Sequence, residues 1–324
     1  MDARGELVRR CALKRLASIG PLSKEGFSEL LSAVAADPRS FADDAEEQAF
    51  LEIEQTLEKE RAATAGDDLL DDDEYQRERR RRFGRIATSC DRALALDPTC
   101  IDARLLSCLV ADQEPDATLG LLLELDHDVA DQHGAIVTSE GEDAWDDVFL
   151  RPRLRVRAAI SRTCLDTARY RMAASSCLSL IDASPTDALG ARLTAALALA
   201  RLEDETGFDE LDARFLRQGN AWSHLARVLL LFKLDRPAAA RRALRGFDSL
   251  CTGGAYALLR PTYVETYLPD RPQSKPGSFE EVTLCVHEAD PIVVDTPDFI
   301  PWASEQPGFA ESAGRFADRL GYDM

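Results

Sequence analysis

The sequence predicts an all-α protein made of stacked helix pairs, and three observations indicate this fold class. Apolar residues recur at helical spacing over most of the chain, in segments that end at Pro or Gly. A pattern of about 34 residues recurs as well, since the equivalent positions Ala173 and Ala240 lie 67 residues apart, close to two periods. The alternation of apolar and polar residues that is typical of strands is not sustained, apart from the short run 292–294.

The clearest helix pair spans residues 151–185. Its aromatic, small, packing and helix-stop positions match the spacing of a tetratricopeptide repeat, and they are Tyr170, Ala173, Cys177, Leu180 and Pro185. We expect Tyr170 in the turn, Ala173 where two helices approach closely, and Pro185 at the end of the pair. A stack of such pairs leaves a continuous exposed groove, so this pattern predicts a binding scaffold.

Composition divides the chain into four predicted parts. They are an N-terminal helical region (1–66), an acidic linker (67–78), tetratricopeptide-like helical repeats (79–275) and an irregular C-terminal latch (276–324). The first part is predicted to form three helices. One covers 3–19 and stops at Gly20, a second covers 23–36 with Ser23 as its N-cap, and a third covers 41–63.

A charge-segregated block joins the first part to the repeats. Its acidic half is predicted to be an exposed linker, and its arginine half is predicted to begin a helix that continues to Leu96. An alternative interpretation is a nucleic-acid or phosphate site at Arg79, Arg80, Arg81 and Arg82. The adjacent acidic run 71–73 would largely neutralise such a site.

Helix pairs dominate the third part. They are predicted at 99–111 with 115–125, at 187–202 with 208–217, and at 220–234 with 236–247. The acidic segment 126–147 is left open between a helix extension and a loop. In the last part, helices are expected near 278–287 and 310–320, and Phe299 and Trp302 are expected to pack the tail onto the last repeat.

Three sequence features also resemble a known family. Arg151-Pro152 opens a helix pair, Ala168-Arg169-Tyr170 forms its turn, and Ser184–Gly190 leads to the next helix. This order resembles the tetratricopeptide core of the suppressor-of-tumorigenicity-seven-like proteins and their bacterial relatives, over roughly 151–302. Here Ala188 replaces an asparagine of that pattern, and the usual glycine before Tyr170 is not in place. The resemblance implies an interaction scaffold and supplies no catalytic residues.

Charge and apolar content restrict the partners. The formal net charge is -19 and 45% of the residues are hydrophobic, which predicts a sizeable core and argues against non-specific nucleic-acid or anionic-membrane binding. No stretch reaches the roughly 18 apolar residues of a membrane span, and the first turns are charged and do not form a leader. We therefore expect a cytoplasmic protein with no membrane or nucleic-acid partner. The eight scattered cysteines form no C-x-x-C pair and are expected to be reduced core residues.

The sequence offers little chemistry. No phosphate-binding loop, dinucleotide fingerprint, nucleophile elbow or zinc-protease motif is present. His127 and Asp131 have the i to i+4 spacing that would place two metal ligands on one helix face. The simpler interpretation is a solvated acidic helix end. We expect no catalytic residue, metal or cofactor, and the competing hypotheses are a structural oligomerisation module and a metal-dependent enzyme subunit.

The groove of the repeat stack is the predicted binding site. The candidate residues occur on first helices of successive pairs, and they are Arg155, Arg162, Arg192, Trp222 and Arg227. The steps from Arg155 to Arg192 and from Arg192 to Arg227 are 37 and 35 residues, close to one repeat. Such a ladder of cations would bind an acidic or C-terminal peptide through charge-assisted hydrogen bonds. Alternatively, these arginines pair with neighbouring carboxylates. The predicted function is a protein- or peptide-binding adaptor, whose oligomeric state is left open.

Overall fold

The computed structural model describes residues 2–63, 71–136, 141–262, 264–265 and 267–323, and in these ranges all regular structure is helical. The chain divides into two compact units. Unit 1 comprises Met1–Val156 and Tyr267–Asp270, and unit 2 comprises Arg157–Thr266 and Arg271–Met324. The predicted all-α class is therefore confirmed. The boundaries of the four parts predicted from the sequence rest on composition and not on packing, and they stay predictions.

Unit 1 is built from six helices and the start of a seventh, counted over its described residues. They are α1 (Ala3–Ile19), α2 (Lys24–Ala36), α3 (Ala45–Ala63), α4 (Asp72–Leu96), α5 (Ile101–Val110), α6 (Pro115–His133) and the first residues of α7 (Arg151–Asp166). Helix α1 packs on α2 and α3, and α3 packs on α4 and α5. Phe50, Ile53 and Ile86 are among the side chains that this packing buries. The N-terminal three-helix prediction is confirmed, except that α3 begins at Ala45 after one turn of 3-10 helix.

The acidic linker predicted for 67–78 is wrong from Asp72 onward. Helix α4 begins there, and residues 67–70 lie outside the described part of the chain. The carboxylate of Asp71 accepts a 2.8 Å hydrogen bond from the backbone N–H of Glu74 and so caps the helix. Acidic residues in a first turn also interact favourably with the helix dipole. The acidic run therefore starts the helix that the arginine run continues. The sequence left segment 126–147 open between a helix extension and a loop, and the first part of it, as far as His133, continues helix α6.

Unit 2 contains the remaining described helices. After the end of α7 come α8 (Tyr170–Ala183), α9 (Ala191–Arg201), α10 (Glu205–Arg214), α11 (Ala221–Lys233), α12 (Pro237–Leu250), α13 (Gly254–Leu259), α14 (Phe279–Val294), α15 (Phe299–Ser304) and α16 (Phe309–Leu320). Helix α9 packs on α8, α10 and α11, and α11 packs on α12. These contacts place α8, α9, α11 and α12 against one another in chain order.

The first of these pairs places its packing residues as the repeat spacing predicts. Ala173, Cys177 and Leu180 are all buried along one face of α8. Tyr170 is the first residue of α8, and the helix ends at Ala183, shortly before Pro185. Ala173 is completely buried, and its role at a close helix approach stays a prediction.

The C-terminal part is helical, which corrects the predicted irregular latch. Helix α14 runs for 16 residues, includes Pro291, and contains the strand-like run 292–294. The proline-rich composition of this region makes the apolar stripe of α14 hard to recognise in the sequence. The stripe consists of Val282, Cys285, Ala289 and Ile292 and is completely buried. The packing role predicted for the two aromatics of this part is confirmed. Phe299 and Trp302 lie with their ring centroids 5.4 Å and 4.9 Å from that of Phe232 on α11.

Candidate functional site

The candidate site of unit 2 begins with α9, a helix that is apolar on nearly every side. All seven residues from Thr194 to Ala200 are buried. A helix of this kind must be covered from several directions. Helices α8 and α11 cover two of its sides, and α14 also packs against α9 and α11. The face that α9 and α11 share is thus occupied by a segment of the same chain.

Charged and aromatic side chains fix α14 in this position. Trp222 on α11 is 2% exposed, and its Nε1 donates a 2.8 Å hydrogen bond to Oε2 of Glu288 on α14. Arg271 donates to both oxygens of Glu288, at 2.7 Å and 2.9 Å. The guanidinium carbon of Arg271 also lies 5.4 Å from the Trp222 ring centroid. A buried carboxylate needs such donors, because an isolated buried charge is costly.

Arg271 connects this contact to the start of α9. It donates hydrogen bonds to the carbonyl oxygens of Leu189 and Gly190, at 3.1 Å and 2.8 Å, and to the hydroxyl of Thr194 at 2.9 Å. Gly190 has a φ of +67°, and a Cβ there would lie 2.5 Å from Arg271 Nη1. Glycine at this position therefore permits both the left-handed backbone and the close approach of the guanidinium.

Two further carboxylates hold the ends of α14. Glu281 in the first turn accepts hydrogen bonds from the backbone N–H groups of Gly277 and Ala221, at 2.7 Å and 3.3 Å. Asp295, which follows the last turn, accepts a 3.0 Å hydrogen bond from the Tyr170 hydroxyl and forms a 3.1 Å ion pair with Arg201. Burial, together with the bond to Asp295, raises the pKa of Tyr170 to about 12. We call the surface formed by Thr194, Trp222, Arg271, Tyr170 and Arg201 the α14 seat.

These contacts correct the role predicted for Trp222. Its indole lies in the core under α14 and does not line an open groove. The α14 seat holds a helix, whereas the sequence predicted an acidic peptide in an open groove, and that partner stays a prediction. The helix in the seat belongs to unit 2 itself.

The role predicted for Arg155 is wrong, because Arg155 is 1% exposed and lies in unit 1. It forms hydrogen-bonded ion pairs with Glu6 of α1 and, at 2.8 Å, with Asp102 in the first turn of α5. Arg10 completes the cluster through a 2.6 Å contact with Glu6. The nearby carboxylates raise the pKa of Arg155, although burial opposes them. Arg155 is thus a buried structural cation that no peptide can reach.

Arg192 and Arg227 both turn toward α10 and pair with carboxylates of their own unit. Arg192 Nε lies 3.4 Å from Asp187, and Arg227 Nη2 lies 3.1 Å and 3.2 Å from Asp209 and Asp212. Each guanidinium also stacks on a phenylalanine ring, Phe215 for Arg192 and Phe208 for Arg227. The fifth predicted residue, Arg162, is half-buried and interacts electrostatically with Asp166, one turn further along α7. The predicted cation ladder is therefore largely neutralised, and Arg155 belongs to a different unit from Arg162, Arg192 and Arg227.

The remaining candidate chemistry also has local explanations. His127 and Asp131 approach to 3.6 Å on the exposed face of α6, and the described residues contain no group of three or more His, Cys, Asp or Glu that could hold a metal ion. Burial lowers the pKa of His224 and His287. All eight cysteines are free thiols, of which only Cys108 is not fully buried. The predicted core position is therefore confirmed for seven of the eight cysteines.

The arginine block at the start of α4 is tied into unit 1. Arg79 forms two hydrogen bonds with Asp112, at 2.9 Å and 2.7 Å, and stacks on Phe83. Arg82 stacks on Tyr75. Arg81 pairs with Glu78 at 3.4 Å, so three of the four arginines of the alternative nucleic-acid site interact with groups of the same unit.

No helix in the described ranges combines the length and the apolarity that crossing a bilayer requires. No family model, curated protein or solved structure matches the chain.

Proposed function

We propose that this protein is a non-catalytic scaffold that binds a protein or peptide through a tetratricopeptide-like stack of helix pairs. The support is the packing of unit 2, where α9 and α11 come from successive pairs and share one face. Stacks of this kind present long surfaces whose side chains bind extended or helical segments. The likeness to suppressor-of-tumorigenicity-seven-like proteins stays a prediction from the sequence.

The α14 seat is the observation that carries the proposal. It binds an amphipathic helix through a buried apolar stripe, a buried tryptophan and an arginine that pairs with a carboxylate. This is the helix-in-groove mode of peptide recognition, carried out within one chain. A stack that holds an acidic helix in this way has the chemistry that an adaptor needs.

The partner that we propose is a protein or an acidic peptide. A net charge of -19 disfavours long polyanions such as nucleic acid and anionic membrane surfaces. A short acidic segment can still bind where arginines cluster locally, because screening limits repulsion to about 10 Å at 0.1 M salt. The oligomerisation and metal-enzyme hypotheses are kept as outcomes of the test.

The test is affinity capture with the purified full chain as bait, followed by reconstitution of any recovered protein with the bait. The proposal expects a complex of fixed stoichiometry, measured by light scattering, that excess soluble chain competes away. The oligomerisation hypothesis instead expects self-association without a partner. The enzyme-subunit hypothesis expects stoichiometric metal in the purified chain. Failure to reconstitute a complex with any captured protein would contradict the proposal.

A further inference from the structure

Two helices of unit 2, α12 and α16, together carry five arginines and three acidic residues, although the whole chain is strongly acidic. On α12, Arg241, Arg245 and Asp248 have the i, i+4, i+7 spacing of one helix face. On α16, Arg315 and Arg319 lie one turn apart and are exposed. Helix α16 packs on α13 and touches α12. We call the exposed faces of these two helices, with Arg241, Arg245, Arg315 and Arg319, the α12–α16 surface.

A hydrogen bond and a cavity join the two helices. Ser312 of α16 donates a 3.0 Å hydrogen bond to Oδ1 of Asp248 on α12. Beside this contact lies a cavity of about 740 Å³, which Arg315 and Arg319 line. Asp318 lines the same cavity. The arginines therefore stand at the edge of a space large enough for side chains of a ligand.

These arginines differ from the predicted ladder in having few partners. Neither Arg245 nor Arg315 has an ion pair or a hydrogen bond from its side chain to any residue that the structure describes. Arg241 donates only to the carbonyl of Pro237 in its own helix, at 3.2 Å, and Arg319 stacks on Phe316 at 5.5 Å. Unlike Arg192 and Arg227, they leave their guanidinium groups open to a ligand.

Aromatic rings lie against the cavity. Tyr256 and Phe316 both line it, with ring centroids 5.6 Å apart. Gly253 has a φ of +72°, and a Cβ there would lie 2.6 Å from Phe316 Cζ. The glycine therefore lets the backbone turn closely over the ring. Aromatic walls of this kind favour an apolar or aromatic side chain of a bound segment.

We infer that the α12–α16 surface binds an acidic peptide segment. The arginines receive its carboxylates in charge-assisted, two-pronged hydrogen bonds, and the cavity receives one apolar side chain. Because the inference rests on the proposed function, it specifies where that function resides and which chemistry the partner has. It moves the predicted acidic-peptide contact from the first helices to the outer faces of α12 and α16.

The charges around the cavity favour a peptide over a nucleic acid. Asp248 and Asp318 line the same cavity as the arginines. A phosphodiester chain that extended past the arginines would meet these carboxylates and the acidic remainder of the protein. A short peptide places its carboxylates only at the arginines and can donate backbone N–H groups to Asp248 or Asp318.

The test measures fluorescence anisotropy of a short labelled peptide of Glu and Asp residues around one Phe, titrated with the full chain. Two double variants reverse the charges of the site. One is Arg241→Glu with Arg245→Glu on α12, and the other is Arg315→Glu with Arg319→Glu on α16. The matched control is Arg77→Glu with Arg171→Glu, which reverses two exposed arginines on α4 and α8. A neutral double variant, Arg315→Gln with Arg319→Gln, removes the charges without reversing them and so separates a loss of charge from a loss of fold. Circular dichroism checks that every variant is folded.

We expect each site reversal to weaken binding at least about tenfold, since a hydrogen bond to a charged group contributes more than a tenfold change in Kd. The neutral double variant should weaken binding less than its charge-reversed counterpart, and the control should bind like the wild type. Equal binding by all variants would overturn the site and leave the proposed function standing. The acidic-peptide assignment would be overturned if the wild type did not bind the peptide, or if labelled single-stranded DNA bound more tightly at these arginines. The capture experiment tests the proposed scaffold function separately.

Discussion

Trp222 and Glu288 lie 66 residues apart in the sequence, yet the indole of one donates a 2.8 Å hydrogen bond to the carboxylate of the other. Glu288 is 8% exposed, so its charge depends on nearby donors. Arg271 supplies the neutralising cation through two hydrogen bonds. Arg271, from an aperiodic and proline-rich segment, therefore ties helix α14 to α9 and α11.

Arg271→Ala should lower the free energy of unfolding by about 3–5 kcal/mol, because removing one partner of a buried ion pair leaves the other charge uncompensated. Urea unfolding, followed by tryptophan fluorescence, measures this change. Arg171→Ala is the matched control, since Arg171 is exposed on α8, and it should change stability by no more than about 0.5 kcal/mol. Similar effects of the two substitutions would show that Arg271 does not hold α14.

Gly190→Ala should destabilise unit 2 for two separate reasons. A left-handed backbone costs an L-residue about 1–2 kcal/mol, and the new Cβ would lie 2.5 Å from Arg271 Nη1. Gly246→Ala offers a contrast, because Gly246 lies inside α12 and a Cβ there would have open space within 4 Å. There alanine should stabilise the protein by about 0.5–1 kcal/mol. Thermal unfolding of both variants checks the opposite signs, and a loss of stability at both positions would contradict the explanation.

Arg155→Met should destabilise unit 1 by about 3–5 kcal/mol, because Glu6 and Asp102 would lose a buried cation. Arg9→Met, on the exposed side of α1, is the control and should be nearly neutral. The measurement is the free energy of unfolding from urea titration, with circular dichroism at zero urea. A stable Arg155→Met variant that lost only peptide binding would restore the groove role that the sequence suggested.

Local signals predicted the helices well, because caps and stops act over a few residues. Ser23 caps α2 as expected, since its hydroxyl accepts the Gly26 N–H. The role of Arg155 was not predictable in this way. Its spacing from Arg192 imitates a repeat, but its partners Glu6 and Asp102 lie 149 and 53 residues away. Only the tertiary fold brings these charges together.

Sequence reasoning missed Arg271 and the length of α14 for a related reason. Helical periodicity is the main signal for a buried contact, and the segment before α14 has none. Pro291 lies inside α14, and the stripe from Val282 to Ile292 continues past it. The apolar i, i+3, i+7, i+10 spacing of that stripe was the available signal, and it outweighs the proline because α14 is covered by α9, α11 and α13.

The eight thiols should react slowly in the native protein, because burial disfavours the reactive thiolate. Burial raises the pKa to about 12 for Cys11, Cys100, Cys177 and Cys251. Cys108 is the least buried of the eight and should react first with a chromogenic disulfide reagent at pH 8. Cys108→Ser should remove that first phase, whereas Cys177→Ala should leave it in place. In denaturant all the thiols should react at once, because unfolding returns their pKa to the ordinary range. A fast native phase that persisted in Cys108→Ser would mean that another thiol is more accessible than its burial indicates.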